Sequence, residues 1–164
     1  MSKGTTQRRI GIATALMTLL AAIGCSDGHT YFHQYKAVDV DGWMNGDTVV
    51  FYLTPSSCQQ TLAAEVGVRT TDAFKYNTLY LLGELRCEDQ LISTDTLTVN
   101  IFDEDGLSLG NGFPYPTSTS QLPPIAVDSG LNYTYTITPY MQPEQVVGVK
   151  DIGIKLSVLP TSEE

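Results

Sequence analysis

The sequence is short of positive charge. Of its 164 residues, nine are Lys or Arg and 18 are Asp or Glu, which gives a net charge of -9 at pH 7. No basic patch is present, and aromatic residues do not alternate with Arg or Lys as they do on many nucleic-acid-binding surfaces. An anionic bilayer would also repel such an acidic chain. We therefore expect no nucleic-acid partner, and no attachment to a membrane through surface charge.

The sequence also lacks the common catalytic motifs. No Ser, Cys or Thr lies in a nucleophile motif, and there is no glycine-rich phosphate loop. The only two histidines, His29 and His33, have the spacing of a metal site on a helix, but Tyr31 and Phe32 between them indicate a strand. The acidic turn at residues 103–106 lacks the bidentate Glu of a calcium loop. We therefore predict that the protein is not an enzyme and that it holds no metal or cofactor.

Long apolar runs are absent, with one exception near the start of the chain. This run covers residues 10–23, carries no charge and follows a basic segment at residues 3–9. It has the length of the hydrophobic region of a signal peptide, and it is shorter than the ~20 apolar residues that a spanning helix needs. The sequence therefore predicts an exported protein.

The apolar run ends in a motif that resembles the bacterial lipobox, Ala22-Ile23-Gly24-Cys25. Small residues before the cysteine fit a narrow peptidase groove, and the cysteine supplies the thiol that takes the diacylglycerol. Ala22 occupies a position where the lipobox usually has Leu. We predict cleavage between Gly24 and Cys25 and lipidation of Cys25. The alternatives are an uncleaved anchor and a secreted protein with a chance cysteine.

The residues after Cys25 indicate which membrane receives the protein. Ser26 follows directly, so the acidic signal that retains some lipoproteins at the inner membrane is missing. Asp27 alone is a poor match to the runs of acids that direct lipoproteins to the cell surface. We therefore expect a lipid anchor in the outer membrane and a domain that faces the periplasm.

The mature chain has the length of one domain with a substantial core. We assign residues 1–24 to the signal peptide, 25–45 to a lipidated tether and first strand, 46–160 to the folded domain, and 161–164 to a flexible acidic tail. Apolar and polar residues alternate with a period of two, which indicates sheets with one buried face. We therefore predict an all-β fold, an antiparallel β-sandwich of jelly-roll type. The clearest strand segments are residues 47–53, 61–69, 76–87, 95–102, 131–137 and 152–158.

Two cysteines, Cys58 and Cys87, remain after the lipidated one, and an exported chain passes through an oxidising compartment. If the second and third strand segments form a hairpin with Val66 opposite Leu79, Cys58 comes to lie opposite Cys87. Directly opposed residues are close enough for a disulfide once the strands twist. We predict a disulfide between Cys58 and Cys87, with two free cysteines in the core as the alternative.

Aromatic residues lie near several predicted strand ends. Trp43 precedes a strand, and Tyr115 lies in a proline-rich loop that we place at residues 110–124. Exposed aromatic side chains would mark a partner site or a sugar site, and loops of this length are often functional. We name Tyr115 and Trp43 as candidate partner contacts, although packing in the core is the favoured interpretation of Trp43. The other tyrosines near strand ends or loops are Tyr31, Tyr35, Tyr76 and Tyr140.

Several short motifs follow one another in a defined order along the mature chain. They are Tyr31-Phe32-His33-Gln34-Tyr35, Trp43, Gly46-Asp47-Thr48, Val68-Arg69, Tyr76-Asn77-Thr78-Leu79-Tyr80-Leu81, Asp95-Thr96-Leu97, Asp105-Gly106, Gly110-Asn111-Gly112, Met141 and Gly148-Val149-Lys150-Asp151-Ile152-Gly153-Ile154. In this order and spacing they resemble the gliding-motility lipoprotein family usually called GldH, found in Bacteroidetes-type bacteria. The chain departs from that family at Leu107-Ser108-Leu109, where a Trp is frequent, and at Gln142, where an Arg is usual.

The resemblance implies a role and no reaction. Family members are outer-membrane lipoproteins linked to gliding and to the associated type IX secretion machinery, and relatives occur in bacteria that do not glide. We therefore expect a non-catalytic accessory subunit, anchored by the lipid on Cys25, that contacts other envelope proteins.

Two alternatives belong to other functional classes. One is a glycan-binding module, since jelly-roll sandwiches often bind glycans. A row of three or more aromatic residues on one sheet face would favour it, and burial of Trp43 and Tyr133 would count against it. The other is a hydrolase of envelope polymers, which requires two carboxylates that face each other in a cleft.

Overall fold

The computed structural model describes residues 30–159, which form ten β-strands and no helix. The predicted signal peptide, Gly24 and Cys25 of the lipobox, His29 and the acidic tail lie outside these residues. The strands are β1 (Thr30–Ala37), β2 (Trp43–Met44), β3 (Val49–Leu53), β4 (Gln60–Thr70), β5 (Thr78–Cys87), β6 (Gln90–Asn100), β7 (Thr117–Val127), β8 (Tyr133–Pro139), β9 (Gln145–Val146) and β10 (Val149–Val158).

The strands form two four-stranded antiparallel sheets and one small ribbon. The first sheet has the order β1-β10-β4-β7, and the second has the order β3-β8-β5-β6. In the ribbon, β2 pairs with β9, and Trp43 lies opposite Val146. The prediction of an all-β antiparallel sandwich is confirmed.

The alternation of apolar and polar residues selects the face of each strand that enters the core. On β5, Leu79 and Leu81 are fully buried while Tyr80 between them is exposed. Because burial of one large aliphatic side chain stabilises a fold by roughly 1.5–3 kcal/mol, a strand with three or four such residues on one face has a single preferred orientation. The same pattern buries Leu62, Ala64, Val66 and Val68 of β4 and Ile152, Ile154 and Leu156 of β10.

The hairpin between residues 61–69 and 76–87, on which the alignment of Cys58 with Cys87 depended, is not formed. These segments are β4 and β5, and they lie in different sheets: β4 pairs with β10 and β7, and β5 pairs with β6 and β8. The connection between them buries Phe74, and the backbone N–H of Thr71 donates to the carbonyl of Gly148 at 2.8 Å. Alternation identifies the buried face of a strand, but both sheets bury the same kind of face, so it does not identify the neighbouring strand.

The loop that we placed at residues 110–124 is shorter than predicted, because β7 begins at residue 117. Pro123 and Pro124 therefore lie within β7, and the sheet accommodates them there for two reasons. β7 is an edge strand, and its register with β4 shifts between Leu62 and Ala64, which pair with residues 125 and 122. Proline cannot donate to a sheet ladder, so edge strands and bulges are where sheets accept it.

Candidate functional site

Trp43 packs in the core and does not form a contact surface. Its side chain is 2% exposed, and its indole N–H donates to the backbone carbonyl of Asp47 at 2.9 Å. Tyr133 is also buried, and its hydroxyl accepts the backbone N–H of Asp128 at 3.1 Å. Burial of both residues counts against a sugar-binding platform that contains them.

Tyr115 is half-buried and contacts a cation of its own chain. The Lys150 Nζ lies 3.4 Å from the centroid of the Tyr115 ring, a cation–π contact. One face of the ring is therefore already covered. The neighbouring Phe113, by contrast, has a side chain that is 98% exposed. The role of Tyr115 in partner contact stays a prediction.

Both Cys58 and Cys87 have free thiols in this structure. Cys58 is exposed and Cys87 is half-buried. The strand pairing that placed them opposite each other is wrong, because Cys87 of β5 lies opposite Tyr133 of β8 and Gln90 of β6. The disulfide between Cys58 and Cys87 stays a prediction, but the strand pairing from which it was argued is not present.

Three large apolar side chains project from the connection between β6 and β7. We call residues 107–113 the apolar loop: Leu107 is 66% exposed, Leu109 51% and Phe113 98%. A turn of acidic residues at 103–105 lies beside it. The loop thus presents apolar side chains next to negative charge.

The backbone of the apolar loop is fixed by hydrogen bonds. The Asp103 carboxylate accepts the backbone N–H groups of Asp105 at 3.0 Å and of Leu107 at 2.8 Å. The Leu109 N–H donates to the Ile101 carbonyl at 2.9 Å. These bonds fix the backbone from which the Leu107 and Leu109 side chains project.

A groove of about 850 Å³ lies on the outer face of the second sheet. Tyr80 of β5 forms its floor with Thr96 of β6, and residues 75–78 and 140–143 form its walls. Its three tyrosines are exposed to similar degrees: Tyr76 is 39% exposed, Tyr80 45% and Tyr140 62%. We call this surface the tyrosine groove. Pockets that combine aromatic faces with a few polar groups are typical ligand sites.

Contacts with neighbouring residues hold the walls of the tyrosine groove. The backbone N–H of Tyr140 donates to the Tyr80 carbonyl at 2.9 Å. The Asn45 side-chain amide donates to the carbonyls of Met141 and Pro143, at 3.0 Å each. Tyr76 makes an edge-to-face contact with the buried Phe74, at a centroid distance of 5.7 Å. The walls of the groove are therefore fixed by contacts within the chain itself.

A family model described as GldH lipoprotein matches residues 30–156. This match covers nearly all of the sandwich. The chain belongs to the GldH lipoprotein family. It is a gliding-motility-related, lipid-anchored lipoprotein of the cell envelope. Within residues 30–159, no helix is long and apolar enough to cross a membrane.

Two solved structures share a remote similarity with this GldH-family protein. One is dimeric latent PorU from Porphyromonas gingivalis, with 9% identity and a TM-score of 0.34; the match covers 79% of this chain and 13% of that chain. The other is Eiger TNF from S. frugiperda, with 10% identity and a TM-score of 0.31, covering 83% of this chain and 96% of that one. No curated protein matches the chain.

Sequence reasoning did not find the tyrosine groove in this GldH-family chain. The sequence places Tyr76 and Tyr140 near strand ends or loops, and it places Tyr80 on the opposite face of its strand from Leu79 and Leu81. The pairing of β5 with β8 brings them together, because it places Leu81 opposite Pro139. The alternation around Tyr80 was the available signal, since a tyrosine on the outer face of a strand is exposed.

Proposed function

We propose that this GldH-family protein is a non-catalytic accessory subunit of an envelope assembly that serves gliding and type IX secretion. In this proposal the lipid on Cys25 anchors it in the outer membrane, and the sandwich faces the periplasm. Family membership supports the link to gliding and the lipid anchor. The apolar loop is the observation that supports contact with another protein.

The apolar loop has the properties of a protein-binding surface. Leaving a Leu or Phe side chain in water instead of burying it forgoes roughly 1.5–3 kcal/mol. The sandwich gains nothing from this exposure, because Phe113 has almost no contact with it. Exposed apolar side chains with a polar border are characteristic of protein contacts. A partner that covers Leu107, Leu109 and Phe113 recovers the lost burial.

The test compares two variants in cells that carry the full lipoprotein. The first replaces the three apolar residues of the loop, Leu107→Ser, Leu109→Ser and Phe113→Ser. The control is Tyr52→Ser, which removes a 72% exposed aromatic side chain from β3. Each tagged protein is crosslinked in the living cell and purified, and its partners are identified by mass spectrometry. Gliding and the secretion of type IX substrates are measured in the same strains.

We expect the control to retain its partners, including gliding or secretion subunits, and the loop variant to lose them together with motility or secretion. Retention of every partner by the loop variant would remove the apolar loop from the proposal. If the unmodified protein recovers no gliding or secretion subunit, the accessory role itself is wrong.

A further inference from the structure

We propose that the tyrosine groove binds a neutral glycan chain. This inference is independent of the accessory role, since the groove and the apolar loop are formed by different segments. It concerns Tyr76, Tyr80 and Tyr140, whose rings come from three parts of the chain and line one groove of about 850 Å³. That volume is within the range of small-ligand sites, roughly 300–1,000 Å³.

The chemistry of the lining matches a sugar ring. A sugar presents an apolar C–H face and a rim of hydroxyl groups, so it needs flat apolar surfaces beside uncharged donors and acceptors. The tyrosine rings supply the surfaces. Gln142 and Thr96 supply an amide and a hydroxyl that can donate and accept. The Asn77 amide and the Thr78 hydroxyl already donate to the Asp103 carbonyl and to Asn100 Oδ1, and they offer a sugar mainly acceptor oxygens.

The charge of the groove differs from that of the rest of the protein. The chain carries 18 acidic residues, yet none of the lining residues of the groove in the described part of the chain is acidic. Lys75 is the one cation in the lining, and its ammonium group donates to the Asp72 carbonyl at 2.9 Å. Such a lining, with no acid and one cation among the described residues, offers little electrostatic attraction to a charged polymer of either sign, which favours an uncharged ligand.

A peptide strand does not fit the groove equally well. Extended peptides bind sheets by pairing with unused backbone groups at an edge. β5 is an inner strand, and beyond the end of β8 its free groups are taken as well: the Tyr80 carbonyl accepts the Tyr140 N–H, and the Tyr80 N–H faces the Met141 sulfur at 3.4 Å. The available contacts are therefore those of side chains. An acyl chain would leave the amides and hydroxyls of the groove unpaired.

The groove is also suited to binding with little loss of entropy. Tyrosine offers a large contact area with only two rotatable side-chain bonds. The hydrogen bonds of Asn45 to residues 141 and 143 and the contact of Tyr76 with Phe74 already fix the walls. A preformed site spends less of its interaction energy on ordering.

The experiment uses the full lipidated protein in detergent and a panel of soluble polysaccharides in affinity electrophoresis. The neutral probes are amylopectin, mannan, laminarin and xyloglucan, and alginate is the anionic probe. The variants are Tyr140→Ala, Tyr140→Phe and, as a matched control on another surface, Tyr52→Ala. Tyr140 and Tyr52 are 62% and 72% exposed, so neither replacement empties the core.

We expect at least one neutral polysaccharide to retard the protein. Tyr140→Ala should weaken that binding by about 10-fold, because one aromatic contact of roughly 1.4 kcal/mol is lost. Tyr140→Phe should keep most of it, since the ring face remains, and Tyr52→Ala should bind as the unmodified protein does. Retardation by alginate alone, by none of the probes, or to the same extent for Tyr140→Ala and the unmodified protein would overturn the proposal.

Discussion

The ring of Tyr35 on β1 covers Gly153 on β10. The two residues are direct partners in the antiparallel ladder, and a Cβ atom at Gly153 would lie 2.7 Å from the Cγ and Cδ1 atoms of Tyr35. The Tyr35 hydroxyl reaches on across the sheet to Gly67 of β4, which is the ladder partner of Gly153. Two glycines in adjacent strands thus form a flat surface on which one aromatic ring packs, on the outer face of the first sheet.

This arrangement predicts a specific effect of Gly153→Ala. The added methyl group must displace the Tyr35 ring, which Arg69 covers with its guanidinium 4.4 Å from the ring centroid. Overpacking of this kind costs about 1–3 kcal/mol of unfolding free energy, measured by urea denaturation. In a Tyr35→Ala background the same substitution should cost clearly less, because the ring is absent. An undiminished cost in that background would show that the ring is not the cause.

A second glycine, Gly148, is required for a different reason. Its φ is +87°, and a Cβ atom there would lie 2.2 Å from the backbone nitrogen of Phe74. Gly148→Ala should therefore lower the unfolding free energy by more than about 3 kcal/mol, because left-handed strain and a backbone clash add. Gly46→Ala is the control: φ is +102°, but no atom lies within 4 Å. We expect it to cost about 1–2 kcal/mol from strain alone. Equal losses in the two variants would contradict the clash with Phe74.

The alternation of residues predicted which faces are buried, and the structure confirms this for Leu62 to Val68 and for Leu79 and Leu81. It could not predict which strands are neighbours. A buried valine on β4 gains the same burial against any partner strand. The choice of neighbouring strand therefore depends on connections such as residues 71–77, which are held by the buried Phe74 and by the hydrogen bond from Thr71 to Gly148. Residues 71–74 and Gly148 are about 75 positions apart in the sequence, so their contact produces no local periodic pattern from which it could be predicted.

The candidate sites were harder to predict than the fold. The favoured interpretation of Trp43 as a core residue agrees with its burial, because its indole N–H finds a partner at Asp47. The tyrosine groove requires the pairing of β5 with β8, which brings residue 140 beside residue 80. No pattern within either segment contains that information. The exposure of Phe113 could not be predicted either, because the prolines around it indicate a loop but not whether the Phe113 side chain is exposed.

Asp151 and Arg69 form a partly buried ion pair between β10 and β4. The Arg69 Nε lies 2.6 Å from the Asp151 Oδ1, and the side chains are 35% and 10% exposed. Arg69→Met leaves a carboxylate with little access to water and no cation, so we expect a loss of about 2 kcal/mol, less than for a fully buried pair because Arg69 is partly solvated.

Two further variants identify the source of that loss. Arg69→Lys should lose less unfolding free energy than Arg69→Met, because a positive charge remains beside Asp151. Some loss should remain, because the planar guanidinium contact with the Tyr35 ring is gone. Adding Asp151→Asn to Arg69→Met should restore part of the stability, because the unpaired charge is removed. Urea denaturation provides all three values. A double variant no more stable than Arg69→Met alone would contradict the unpaired carboxylate as the cause.

The thiols provide a direct test of the cysteine pairing. Labelling of the denatured, unreduced lipoprotein should find neither Cys58 nor Cys87 reactive if the predicted disulfide forms, whereas the free sulfurs of the structure correspond to two reactive thiols per chain. The predicted lipidation places the Cys25 sulfur in a thioether, so we expect this residue not to react. If both thiols are free, Cys58 should react faster in the folded protein than the less exposed Cys87, and Cys58→Ser should leave one slow site. A denatured chain without reactive thiols would instead support the disulfide between Cys58 and Cys87.

Tyr135 predicts how stability depends on alkaline pH. Burial raises the pKa of its phenol above the usual value of about 10, and the nearby Asp95 carboxylate raises it further. Above pH ~10 the unfolded chain loses this proton while the folded protein keeps it, so the free energy of unfolding falls as the pH rises through this range. The slope for one such group is about 1.4 kcal/mol per pH unit. Below pH ~9 the phenol is neutral in both states and contributes no pH dependence.

The variant Tyr135→Phe removes this group while keeping most of its volume. Urea denaturation at pH 9, 10 and 11 should show a shallower loss of stability in the variant. Some slope should remain, because burial also raises the pKa of Tyr35. Absorbance at 295 nm, which reports ionised tyrosine, should show that the folded variant has one tyrosine fewer that stays protonated until the protein unfolds. Equal slopes for the variant and the unmodified protein would mean that the buried Tyr135 phenol does not control alkaline stability.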